Sequence, residues 1–136
     1  MTVAGQHARC DELAAAVLAY CEERHFKIAA AESLTGGLLA DAFVRIPGAS
    51  KGFLGSVVTY DIRAKSSILG VDADLLAREG AVHPEVARQM AEAAADLYAQ
   101  PAWLVPARME TSRQALHTSV FPCLTDSAMF AVGVQK

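Results

Sequence analysis

Residues 31–70, AESLTGGLLADAFVRIPGASKGFLGSVVTYDIRAKSSILG, decide the fold. The run from Phe26 to Ala31 is apolar except for Lys27, and the Ser-x-Thr-Gly-Gly that follows favours a strand ending in a sharp turn, because glycine lets the backbone bend before a new helix. Leu38, Leu39, Ala42 and Phe43 then fall at helical spacing to about Arg45, and Pro47-Gly48 stops that helix. Residues 49–55 read as a loop. The β-branched run 56–60 reads as a buried strand. Asp61 is placed to cap a short helix holding Arg63, Lys65, Ile68 and Leu69, closed by Gly70.

Outward from this stretch the pattern continues. From Gln6 to His25, Leu13, Val17, Tyr20 and Cys21 share one helical face, with Asp11 and Glu12 early and Arg24 and His25 late, an arrangement that suits the helix dipole. Residues 72–79 form another short helix ended by Gly80. His83-Pro84 opens a longer one, with Val86, Met90, Ala93, Ala94 and Leu97 on one side. Strands alternating with helices predict an α/β layered domain. Beyond Gln100, Pro101, Pro106 and Pro122 interrupt the pattern. Short strands are expected at 102–105 and 129–134.

Composition bounds the function. The 136 residues suit one domain, 1–136, and at 53% hydrophobic and 20% charged the chain can bury a sizeable core. A net charge of −3 and the lack of a basic stripe argue against nucleic acid or an anionic membrane as partner. No secretory signal or spanning segment is read, so a cytoplasmic location is expected. Cys10, Cys21 and Cys123 form no CxxC pair, and reduced thiols are expected. His7, His25, His83 and His117 form no HxH or HxxxH pair, so neither a metal nor another cofactor is expected.

Two groups of residues could do chemistry. The turn Glu32-Ser33-Leu34-Thr35-Gly36-Gly37 could hold a phosphate or carboxylate on its N–H groups and hydroxyls, although it is neither a Walker A loop nor GxGxxG, and taken alone a tight turn with a capping hydroxyl is the favoured reading. Ser50, Tyr60 and Lys65 are the second group. A serine attacks an amide carbonyl once a base takes its proton, and a lysine becomes that base when burial lowers its pKa. Tyr60 could relay a proton or donate to an oxyanion. Spacing alone does not bring these three together.

The segments AESLTGGLLADAF (31–43), PGASKGFLGSVVTYDIRAKSSILGV (47–71) and LLAREGAVHPEVARQMAEAAADL (75–97) resemble, in order, the CinA C-terminal-domain family, with the likeness running over about 13–97. The resemblance implies a three-layer α/β/α sandwich with a mixed central sheet, often dimeric. It further implies an amidohydrolase that converts nicotinamide mononucleotide to nicotinate mononucleotide and ammonia without a metal. By motif, Ser50 is the implied nucleophile, Lys65 its base and Tyr60 an assistant. Glu32, Ser33, Thr35, Gly36 and Gly37 would line the site of a small-molecule nucleotide substrate, and a homo-oligomer is expected.

After about Leu97 the chain departs from that pattern. The family's Thr-Gly-x-Ala-Gly-Pro loop and Lys-Pro-Val-Gly segment have no counterpart in 98–136, where Arg108 and Arg113 lie in no matching motif. The sheet is therefore expected to be incomplete on its C-terminal side. The alternative reading is a catalytically impaired CinA-like nucleotide-binding or interaction protein.

Overall fold

A computed structural model describes residues 2–99 and 130–135. In order, the elements are α1 (Val3–Arg24), β1 (Lys27–Glu32), α2 (Leu38–Val44), a 3-10 turn (Ala49–Lys51), β2 (Phe53–Val58), α3 (Ile62–Leu69), α4 (Ala73–Glu79), α5 (Pro84–Ala99) and β3 (Phe130–Gln135). The expectations at 102–105, Arg108, Arg113, His117 and Cys123 lie outside the described residues.

The sheet runs in the order β2-β1-β3. β1 pairs parallel with β2 and antiparallel with β3, giving the mixed sheet that was expected. The strand β3 begins one residue later than the sequence suggests. Because β1 lies between two strands and under helices on both faces, Ile28, Ala29, Ala30 and Ala31 are all fully buried. Strand alternation splits them. Ile28 and Ala30 join Ala14, Leu18, Cys21, Leu39, Phe43 and Phe53 on the α1/α2 side. Ala31 joins Leu69, Val71, Leu75, Leu76, Val86, Met90 and Ala94 on the α3–α5 side. Two cores separated by one sheet make a three-layer α/β/α sandwich.

Several local readings shift. On α1, Cys10, Ala14, Leu18 and Cys21 are buried and the expected Leu13 and Val17 pack beside them, while Tyr20 turns outward under the Arg24 guanidinium, 3.8 Å from its ring centroid. On α5 the buried set is Val86, Met90, Ala91, Ala94 and Ala95, and Leu97 is exposed. Cys21 is a buried free thiol whose pKa burial raises.

The start of β2 is the main correction. Phe53 and Leu54, expected in a loop, belong to the strand, and Tyr60 falls after it. The pairing jumps from Ile28–Phe53 to Ala29–Gly55, a bulge that leaves Leu54 over. Gly55 has φ +149°, and a Cβ there would sit 2.8 Å from the Tyr98 ring, whose hydroxyl donates to the Ser56 carbonyl at 2.9 Å. A glycine that reads as a loop signal is here the kink that seats α5 on the strand.

The helix ends follow their caps. Asp61 accepts from the Arg63 N–H at 2.7 Å, and Gly70 closes α3 in the left-handed conformation. Asp72 accepts from the Asp74 and Leu75 N–H groups, and His83 Nδ1 accepts from the Glu85 N–H, so these groups begin α4 and α5.

Candidate functional site

The chain leaves β1 at Glu32 and β2 at Val58, and because the strands are parallel both exits lie at the same end of the sheet. Ser33 follows the first exit. Thr59, Tyr60 and then Lys65 on the first turns of α3 follow the second. Continuing the alternation of β1, Glu32 turns toward the α2 layer and Ser33 toward the α3 layer.

Lys65 has no exposed surface. Its Nζ donates to the carbonyls of Thr59 and Tyr60, the latter at 3.2 Å, and lies 2.9 Å from Ser33 Oγ. Burial holds the amine below the usual lysine value of 10.5, opposed by the charge of Asp61. Asp61 itself is exposed and bonded to Arg63, which lowers its carboxyl to about 2. No bond between Lys65 and a carboxylate occurs among the described residues.

This bonding specifies what the pair can do. A neutral amine has two N–H groups and one lone pair, and carbonyls only accept. Nζ donates to all three oxygens, as an ammonium can; once one proton is lost, the Thr59 and Tyr60 carbonyls take the two remaining N–H groups and the lone pair is left for the Ser33 hydroxyl. In that state the serine's proton would have a base to go to.

Ser50 is elsewhere. It is exposed on the 3-10 turn that precedes β2, at the opposite end of the strands, and lines a surface cleft of about 430 Å³ with Phe53 and Leu54. A six-residue strand spans roughly 17–20 Å, so within the chain Ser50 and Lys65 are not neighbours. The serine that the structure brings to Lys65 is Ser33. Tyr60 contributes through its backbone carbonyl, while its side chain is 71% exposed.

The turn also differs from the expected anion cradle. Glu32, fully buried, accepts from the N–H groups of Gly37 at 2.9 Å, Leu39 at 3.0 Å and Ala40 at 3.1 Å, and from Ser56 Oγ at 2.7 Å. The Gly36 N–H goes to the Ser33 carbonyl. A carboxylate of the protein thus already occupies the helix start where a substrate anion was expected. Thr35 is buried with its hydroxyl unpaired, as is Thr59. Thr59 is a residue the sequence reading passed over, and its place at the C-terminal end of a strand is the signal that marks it. Among the described residues no cluster of His, Cys, Asp or Glu could hold a metal ion. None of their helices is long and apolar enough to cross a membrane.

Fold and site together define an α/β/α domain with a buried serine–lysine pair where its parallel strands end. The model of the CinA C-terminal domain matches residues 10–102, and the chain belongs to that family. A relative in Moorella thermoacetica whose name carries the words competence-damage inducible protein is 51% identical over 81 residues, 60% of this chain and 20% of that protein. A CinA-like protein of Frankia casuarinae is 48% identical over 81 residues, again 60% of this chain and 19% of the relative. The crystal structure of a competence/damage inducible protein from Agrobacterium tumefaciens superposes with TM-score 0.62 at 36% identity, covering 65% of this chain and 53% of that one. A CinA superfamily protein from Klebsiella pneumoniae gives 0.64 at 30% identity, covering 66% and 56%. The chain thus spans about a fifth of these curated relatives and about half of these solved chains.

Proposed function

We propose that this chain is an amidohydrolase with Ser33 as nucleophile and Lys65 as base, acting on nicotinamide mononucleotide to release nicotinate mononucleotide and ammonia. The substrate comes from the resemblance to the family. The chemistry rests on one observation, the buried Lys65 amine 2.9 Å from Ser33 Oγ with carbonyls at its other contacts.

The Ser33 proton passes to the Lys65 lone pair as Oγ attacks the carboxamide carbon. The resulting ammonium gives that proton to the departing nitrogen as the C–N bond breaks, leaving an ester on Ser33 and free ammonia. Water then attacks the ester and yields a proton to Lys65. As the C–Oγ bond breaks, the proton returns to Ser33. Each half-reaction leaves Lys65 neutral again.

A second reading, a nucleotide-binding or interaction protein without turnover, is favoured by the rim of the same end, where Leu34, Leu38, Val58 and Tyr60 are exposed. Ammonia release from nicotinamide mononucleotide separates the two. The enzyme reading expects turnover by the full chain that is lost in Ser33→Ala and Lys65→Ala and kept in Ser50→Ala. A folded full chain that binds the nucleotide and releases no ammonia supports the second reading and overturns the first.

A further inference from the structure

We propose that Glu32 is a positioning residue, whose carboxylate holds Ser33 against Lys65; this rests on the reading of those two as the reacting pair. Four donors converge on Glu32, from Gly37, Leu39, Ala40 and Ser56, and no cationic side chain touches it among the described residues. Gly37, at the N-cap of α2, has no side chain to cap the helix, so the carboxylate of a residue five positions earlier does so.

This changes what the turn is. Glu32 is the last residue of β1, and by binding the Gly37 N–H it closes residues 33–36 into a loop fixed at both ends. Within it the Gly36 N–H donates to the Ser33 carbonyl at 3.1 Å and the Leu38 N–H to the Thr35 carbonyl at 3.0 Å. Ser33 is the first residue of that closed loop. Its place is set by the bond that closes it.

The same residue also reaches the base. The Glu32 carbonyl accepts from the Thr59 N–H at 2.9 Å, and the Thr59 carbonyl accepts from Lys65 Nζ. The bond from Ser56 ties the carboxylate to β2, three residues before Thr59. Both partners of the pair are therefore referred to one residue, the serine through the Glu32 carboxylate and the base through the Glu32 backbone carbonyl. Removing its acceptors should let the serine drift while the base stays buried.

Glu32→Gln tests this, because an amide nitrogen cannot accept and turns one pair of donors away. The readout is covalent capture of Ser33 by an alkyl fluorophosphonate, in which an Oγ–P bond forms, the P–F bond breaks and fluoride leaves; it is followed by intact mass on the full chain. Wild type should be modified and Ser33→Ala should not. A wild type that resists the probe overturns the pairing of Ser33 with Lys65 and this proposal with it.

Given a reactive wild type, Glu32→Gln should react about 10²-fold more slowly per folded molecule, the size of effect that a misplacement of about 1 Å brings. An unchanged rate overturns the positioning role alone. Ser56→Ala and Ser56→Thr keep the test open should Glu32→Gln fail to fold. Loss of the hydroxyl should slow capture by about 3–10-fold per folded molecule, and the threonine, which restores the donor, should recover it. Equal rates in the two Ser56 variants overturn the proposal, since a purely structural role would not follow the hydroxyl.

Discussion

The two ends of the β1–β2 pair carry the same residue types in opposite surroundings. At the start of the strands Ser50 and Lys51 are exposed; Lys51 bonds Glu22 at 3.0 Å, and its carbonyl accepts from Lys27 Nζ. Where the strands end, Ser33 and Lys65 are buried, and the lysine meets carbonyls and a hydroxyl. Water solvates an exposed ammonium, so a surface lysine keeps its proton and makes a poor base. Burial removes that solvation. On the proposed mechanism, the difference in reactivity comes from position in the fold and not from residue identity.

The sharpest break of this contrast exchanges which serine is lost. Ser33→Ala should lower amide turnover by about 10³-fold or more, the scale seen when a nucleophile is removed. Ser50→Ala should stay within about twofold, since a surface substitution away from the reacting atoms has little to change. The check is the initial rate of ammonia release for the two variants side by side.

The opposite end should answer to stability instead. Phe53 is buried at the start of β2, stacked on Phe43 with centroids 4.9 Å apart. Phe53→Ala should cost about 3–5 kcal/mol by denaturant unfolding, from lost burial and the cavity left behind. The turnover of the fraction that remains folded should change little.

Stability should also follow Lys65 with pH. Its amine titrates below 10.5 in the fold and near 10.5 when unfolded. Between those two values the unfolded chain binds the extra proton, so stability rises as pH rises through that window and is lost as pH falls through the folded value. Lys65→Met should remove this part of the slope, read as unfolding midpoints across the alkaline range. Activity should show an acidic limb at the folded value, falling below it because protonation takes the lone pair from Ser33.

The smallest effect expected is at Asp61, whose charge favours the protonated amine from the surface. Asp61→Asn should move the acidic limb to lower pH, and less so in added salt. A shift to higher pH would contradict the account of the local field.

Much of this was legible before any coordinates. The glycine turn after β1, the cap at Asp61, the stop at Gly70 and the start of α5 follow from local chemistry that a sequence carries in full. The burial of Lys65 was legible because a lysine followed closely by Ile68 and Leu69 suggests it. Its partner was not, since spacing along the chain does not say which end of a parallel strand a residue occupies. The rule that open α/β sheets place their sites beyond the carboxyl ends of the strands points to Ser33, which follows β1, over Ser50, which precedes β2. Glu32 was hidden for another reason. A carboxylate capping a helix from five residues upstream lies outside the usual capping-box spacing, and only the folded turn shows that its N–H groups are taken.

The most direct test is the titration of Lys65 itself. The chain has four lysines, at 27, 51, 65 and 136, so a sample labelled at the lysine Cε and Nζ gives few signals, and the one missing in Lys65→Arg is assigned at once. Following that signal against pH should show a single titration below 10.5. A Lys65 that holds its proton to 10.5 or above would mean that the buried amine is a cation, and the serine beside it would have no base.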